Sequence, residues 1–208
     1  MSYRIMFIAL AVLVAGCSDP KAASEKNFKA VIQKQLDDAY PKCYVVQTFP
    51  AVPNPYLTQE LAGFKALLTA GLLAEKEEPH EVADGWRGKT MVVMQTVFDL
   101  TEEGKKFYKA DVGGFLTKGQ GGLCFGKASV QEITQFTEPS DMMGMRGSNV
   151  SFTYSVSDFP AWAKSPEILA AFSRIKADVE SDKTPIKGRE ILVLTNKGWD
   201  APPGLFGR

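Results

Sequence analysis

The segment Cys43-Tyr44-Val45-Val46-Gln47-Thr48-Phe49 is the stretch around which the rest of the fold can be laid out. It is rich in β-branched and aromatic residues, a composition that predicts a strand. Residues 24–39 before it carry apolar side chains at helical spacing, with Ser24 as the N-cap, and Pro41 ends that helix. The loop after the strand is predicted to be stiff and extended, because each of its prolines fixes φ and discourages helix in the residue before it: Pro50, Pro53 and Pro55.

A second helix is predicted to begin near Thr58, followed by a polar stretch over residues 75–89 and a strand over residues 90–98. After the strand comes Leu100-Thr101-Glu102-Glu103-Gly104. A leucine-rich helix, Gly71-Leu72-Leu73, a strand and a Leu-Thr-x-x-Gly motif in this order resemble the recognition helix and wing of winged-helix regulators. The resemblance implies a winged-helix-like shape for the first half of the chain.

The DNA-binding function of that family is not expected here. A recognition helix needs surplus positive charge to displace counterions from phosphates. Residues 58–76 carry Glu60 and Glu75 against Lys65 and Lys76, and therefore have none. We expect no nucleic-acid partner.

Glycines are concentrated in residues 113–122, and this stretch is predicted to be a hinge between two subdomains, residues 24–112 and 123–208. Residues 122–134, 149–156 and 190–194 predict strands of antiparallel sheets. Ser165 and Pro166 mark the N-terminus of a helix that continues to Val179. The predicted fold class is α+β, with two small mixed subdomains.

The two halves share an order of features that suggests a degenerate tandem repeat. Each has a strand beginning at a cysteine, Cys43 or Cys124, then a break near proline, a helix, and a strand that ends in Leu-Thr. The spacing from cysteine to Leu-Thr differs between the halves, so chance similarity is the alternative explanation.

The N-terminus carries the most specific motif of the chain. One arginine, Arg4, precedes an apolar run over residues 5–14, which is too short to span about 30 Å of hydrocarbon. Val14-Ala15-Gly16-Cys17 then resembles the lipobox of bacterial lipoproteins. The resemblance implies that residues 1–16 are cleaved, that Cys17 is acylated, and that residues 17–23 form a lipid-anchored tether. A transmembrane anchor and an ordinary cleaved signal are the alternatives.

Ser18 follows Cys17 where an aspartate would favour retention on the inner membrane in lipoproteins of this kind. The resemblance therefore implies an outer-membrane location facing the periplasm. The whole chain has 24 Lys and Arg against 24 Asp and Glu, and cleavage would remove one arginine. A near-neutral chain indicates no charge-driven partner.

Chemistry-bearing motifs are absent from the sequence. The single histidine, His80, lies in a polar stretch, and no Gly-x-Ser-x-Gly motif occurs. The cysteines and His80 do not meet a metal-ligand spacing. The carboxylate pairs, of which Glu77 and Glu78 are one, are typical of solvated surfaces. We therefore expect a protein that is not an enzyme and has no catalytic residues, metal or cofactor.

Cys43 and Cys124 are predicted to form a disulfide. The signal segment places them in an oxidising compartment, and each is the other's remaining partner once Cys17 is acylated. Two buried free thiols in separate cores are the alternative, since unpaired cysteine is among the most buried residues.

A lipid-anchored, near-neutral domain with no predicted catalytic residues is consistent with two functions. The first is an envelope accessory or scaffold protein that binds another envelope protein. The second is an immunity lipoprotein that neutralises a secreted toxin. A third, a small-ligand carrier, would use an aromatic pocket built from Phe152, Tyr154, Trp162 and Trp199.

The first prediction concerns the lipid anchor. Cys17→Ala removes the thiol that would be acylated, so the variant should leave the detergent phase on phase partition while Ser18→Ala stays in it. Unchanged partition of Cys17→Ala would contradict lipidation at this residue.

Overall fold

A computed structural model describes residues 19–83, 90–112, 118–142 and 144–202 of the chain. Within these ranges five α-helices and ten strands form a mixed α+β fold with antiparallel sheets, which confirms the predicted fold class. No helix in the described ranges is long and apolar enough to cross a bilayer. Cys17 lies outside the described residues.

The helices are α1 Glu25–Ala39, α2 Thr58–Thr69, α3 Glu102–Phe107, α4 Pro166–Ala171 and α5 Ser173–Val179. The first five strands are β1 Lys42–Val46, β2 Leu73–Ala83, β3 Thr90–Leu100, β4 Tyr108–Lys109 and β5 Gly122–Phe125. The second five are β6 Lys127–Phe136, β7 Ser140–Met142, β8 Met145–Ser157, β9 Ile186–Thr195 and β10 Gly198–Asp200.

The larger sheet has the order β10-β9-β8-β6, with β7 paired to β8. Helix α1 packs on this sheet, because its apolar stripe faces the inward side chains of the strands. We call this the α1 core; its buried members include Phe28, Ile32, Leu36, Val150, Phe152 and Leu192. Ser24 caps α1 by accepting a hydrogen bond from the backbone N–H of Asn27, as the sequence predicts.

A second core, the α2 core, lies among α2, α4, α5, β5 and the base of the β2–β3 hairpin. Its buried members include Phe64, Leu67, Leu72, Phe98, Leu123, Phe125, Ile168 and Ile175. Strand β5 pairs with β1 on one side and β4 on the other. Both cores therefore draw residues from both halves of the sequence.

The boundaries of these cores differ from the predicted subdomains 24–112 and 123–208. Helix α1 belongs to the first half but covers a sheet built by the second, while β5, α4 and α5 complete the core of the first. The physical reason is that each apolar surface is buried by whichever element fits it, and sequence proximity does not decide that. The predicted hinge also ends inside a packed strand, since a Cβ on Gly122 would lie 2.8 Å from the carbonyl oxygen of Val45. Residues 113–117 of that hinge lie outside the described ranges.

The tether predicted for residues 17–23 is held against the fold from Asp19 onward. The side chain of Asn27 donates hydrogen bonds to the carbonyls of Asp19 and Ala22, at 2.9 and 2.8 Å. The indole N–H of Trp199 also donates to Ala22, at 3.0 Å. This part of the chain is a fixed attachment between α1 and β10.

Helix α2 is followed directly by a hairpin, and α4 and α5 by strands of the larger sheet. The tandem repeat and the winged-helix resemblance stay predictions.

The chain crosses between the two cores four times. The last two crossings lead from β8 into α4 and from α5 back to β9, whereas the first two lie side by side. From α1 it enters the α2 core through β1, and from β5 it enters the α1 core through Gly126 and β6. Cys43 and Cys124 face each other in the β1–β5 register and are joined by a disulfide. The first two crossings are therefore covalently linked.

Asp178 of α5 adds hydrogen bonds between α5 and β1 next to these two crossings. Its buried carboxylate, 4% exposed, accepts hydrogen bonds from Tyr44 at 2.7 Å and from Lys42 at 3.1 Å. Burial, together with the hydrogen bond to Asp178, raises the pKa of the Tyr44 hydroxyl above its usual value. Tyr44 thus stays a proton donor to this carboxylate throughout the physiological pH range.

The second prediction concerns the bridge. Replacing Cys43 and Cys124 together by alanine opens a loop whose ends are 81 residues apart. Loss of the denatured-state constraint should lower the free energy of unfolding by about 4.5 kcal/mol on the chain-entropy model. Urea unfolding of the oxidised protein and of the double variant measures this. Full alkylation of both cysteines in denaturant without reductant would contradict the bridge.

Candidate partner-binding surface

The residues singled out by the sequence do not form a catalytic or metal site in the described structure. His80 is exposed on β2, opposite Val93 of β3. No group of three or more His, Cys, Asp or Glu side chains able to hold a metal occurs in the ranges that the structure describes. Cys43 and Cys124 are taken up by their disulfide.

The aromatics proposed for a ligand pocket are not brought together. Phe152, Tyr154 and Trp199 belong to the α1 core, whereas Trp162 packs in the α2 core between Phe107 and Phe125. They are core side chains, so the geometry gives no aromatic pocket for a small-ligand carrier.

A groove of about 370 Å³ lies between α2 and α4. Small side chains line it, and the amide of Gln59 at its edge is already engaged, donating to the carbonyl of Ala171 at 2.9 Å. Lys65 and Glu167 are the charged residues of its wall. This composition gives a ligand little to recognise.

The β2–β3 hairpin is the feature of the structure that most clearly suggests a binding role. Its eleven register pairs run from Leu73 opposite Leu100 to Ala83 opposite Thr90. It forms a sheet of its own. We call residues 77–83 and 90–96 the hairpin arm, and residues 73–76 and 97–100 its base.

The base is fixed firmly in the α2 core. Val97 and Phe98 are buried, and Phe98 is a member of the α2 core that exchanges two backbone hydrogen bonds with Ala51, both 2.8 Å. Thr101 holds the other strand, since its hydroxyl donates to the carbonyl of Gly71 at 2.7 Å. Gly104 packs so closely that a Cβ there would lie 2.2 Å from the carbonyl oxygen of Leu72. These contacts therefore fix the direction of the arm relative to the α2 core.

The arm itself exposes large apolar side chains. Met91, Val92 and Met94 are 57%, 64% and 61% exposed. Met91 lies on one face of the hairpin and Val92 and Met94 lie on the other, because successive strand residues alternate. An apolar strand of this kind is usually buried on both faces. Exposed apolar rows of this kind are typical of surfaces that bind another molecule.

Strand β2 gives the hairpin an acidic side. β2 and β3 together carry five carboxylates against the single ammonium of Lys76, a net charge of −4 with His80 neutral. The carboxylates are Glu75, Glu77, Glu78, Glu81 and Asp99. The surface thus combines a row of acidic side chains with an adjacent apolar row.

Sequence interpretation missed this arm because it treated residues 75–89 as a polar stretch. The helix expected to run to residue 76 ends at Thr69, and Gly71 follows it with a φ of +74°. The signal that could have revealed β2 is the length of β3, since an eleven-residue apolar strand requires a neighbour of similar length.

Comparison with known proteins finds no matching family model, curated protein or solved structure. The surface is therefore interpreted from its own geometry.

The third prediction separates the arm from its base. Met94→Lys should change the free energy of unfolding by no more than about 0.5 kcal/mol, because the side chain is exposed. Phe98→Ala, four residues along the same strand, should cost about 3–5 kcal/mol because it empties a core site. Urea unfolding of both variants tests this contrast, and a large loss in Met94→Lys would show that the arm is packed against the fold.

Proposed function

We propose that the protein is a lipid-anchored, non-catalytic binding module of the cell envelope that holds another protein through the hairpin arm. The observation that carries the proposal is the exposure of Met91, Val92 and Met94 on an arm whose base is buried. The outer-membrane location and the acylation of Cys17 enter as parts of the same proposal.

Burial of the arm by a partner has a clear energetic benefit. Covering a side chain of this size is worth about 1.5–3 kcal/mol relative to leaving it in water. An isolated two-stranded hairpin is at best marginally stable, so contact with a partner would also stabilise the arm itself. Since the base already fixes its direction, binding has little backbone ordering to offset.

The attachment of the N-terminal segment supports an anchored module. Asp19, two residues after Cys17, is already bonded to Asn27. Two extended residues span about 7 Å, so an acylated Cys17 would hold the β10 end of the fold close to the bilayer. A module tethered so closely would present its arm in a restricted range of orientations.

Immunity against a secreted toxin is the second candidate, and the acidic side of the arm is the observation that favours it. The net charge of −4 on β2 and β3 would attract a basic surface and accelerate encounter with it. A toxin gene next to this one would favour immunity over an accessory role.

The fourth prediction tests the arm as the binding surface. The double variant Val92→Lys/Met94→Lys should reduce capture of envelope proteins by the anchored protein at least tenfold, measured by cross-linking in native membranes and quantitative mass spectrometry. Met145→Lys is the matched control, because Met145 is also exposed, at 52%, but lies on β8. Equal capture by wild type and the double variant would refute binding through the arm.

A further inference from the structure

We infer that the partner adds an extended strand to the outer edge of β3 and that this strand alternates apolar with basic side chains. The inference rests on the proposed function, because it specifies how the hairpin arm would bind a protein. It is carried by the direction of the backbone groups, the difference between the two edges of the hairpin and the charge of β2.

The outer edge of β3 already begins to pair with a third strand. Phe98 directs both its N–H and its carbonyl away from β2, to Ala51, and this bridge is antiparallel. Pro50 and Pro53 lie on either side of Ala51, and Pro53 has no N–H with which to extend the pairing. The third strand therefore stops after one residue pair.

The rest of that edge carries the same backbone pattern. Residues two apart in a strand direct their N–H and carbonyl groups to the same side. Thr96, Met94 and Val92 thus present outward-facing groups in line with Phe98. In the described ranges, β3 has β2 and Ala51 as its sheet neighbours. An incoming strand would continue the line that Ala51 starts.

The opposite edge of the hairpin is protected. Pro79 lies opposite Met94, whose backbone groups point away from β2. A residue at position 79 would therefore direct its own backbone N–H away from β3. Proline has no such donor. Glu77 and Glu81, two residues to either side of it, also direct their backbone groups to this edge. Proline and charge are the usual means of blocking an edge strand. β3 has neither along residues 91–96, so it is the open edge.

Charge indicates what the added strand must carry. Apolar side chains on it would contact Met91 and Val93 on one face of the hairpin. Its basic side chains would lie on the other face, where their aliphatic parts would cover Val92 and Met94. Adjacent strands are about 4.8 Å apart, so these long side chains could reach across β3 to Glu77 and Glu81 on that face. A second copy of this chain would instead place −4 against −4, and an anionic membrane surface would be repelled by the same carboxylates.

The fifth prediction uses a defined peptide, acetyl-Lys-Val-Lys-Val-Arg-Val-Lys-Val-amide, and the full mature protein in mild detergent. We expect the peptide to bind with an affinity that falls as salt rises. Met94→Pro removes one outward N–H and should weaken binding at least tenfold. Met94→Ala keeps that N–H and should weaken it less. Met145→Ala changes an exposed methionine of β8, outside the arm, and should bind like wild type. Isothermal titration calorimetry measures all four proteins.

Equal affinity of wild type and Met94→Pro would overturn strand addition, as would equal binding of the peptide N-methylated at alternate residues. Two other results would overturn it by showing a different occupant: a concentration-dependent dimer that Met94→Pro abolishes, or vesicle binding that competes with the peptide. Capture from membranes separates this inference from the proposed function. If Val92→Lys/Met94→Lys abolishes capture while Met94→Pro retains it, the arm binds a protein without strand addition. If neither variant affects capture, the proposed function fails as well.

Discussion

The paired crossings at β1 and β5 are the constraint on which the rest of the structure depends. Two of the four passages of the chain between the α1 core and the α2 core occur there, and the Cys43–Cys124 bridge links them. Asp178 of α5 stabilises the same point by accepting hydrogen bonds from Lys42 and Tyr44 of β1. Ser181 accepts a hydrogen bond from the backbone N–H of Val156 on β8. Neither core could shift relative to the other without breaking contacts at this joint.

The sequence predicts those elements whose signal is local. Ser24 and Pro41 bound α1, Ser165 and Pro166 start α4, and β3, β8 and β9 have strand composition. It does not predict that α1 would cover the sheet of the second half, because an apolar stripe shows that a helix is buried but not what it is buried against. The glycines of residues 113–122 predict a hinge, yet Gly122 packs closely against Val45, because close backbone packing and flexibility both favour glycine.

The candidate site was harder to predict than the fold because its defining property is a contradiction between composition and environment. Met91, Val92 and Met94 belong to a strand whose composition alone predicts burial. Only the structure shows that, among the described strands, β2 is its one long neighbour, that β2 is acidic, and that both faces of the arm are exposed. A disagreement of this kind between local pattern and tertiary setting is expected where a surface serves binding.

The α2 core and the exposed arm are linked through β3 itself. Phe98 is a core residue at the base, and its backbone is held by Ala51, so the outward groups of Met94 and Val92 begin only four and six residues from a fixed point. An edge held this way is pre-organised, and pre-organisation reduces the entropy that binding must offset. The same residues that stabilise the α2 core therefore also determine where a partner strand would begin. The prolines around Ala51 have a matching effect, because they end the protein's own pairing and leave that edge open.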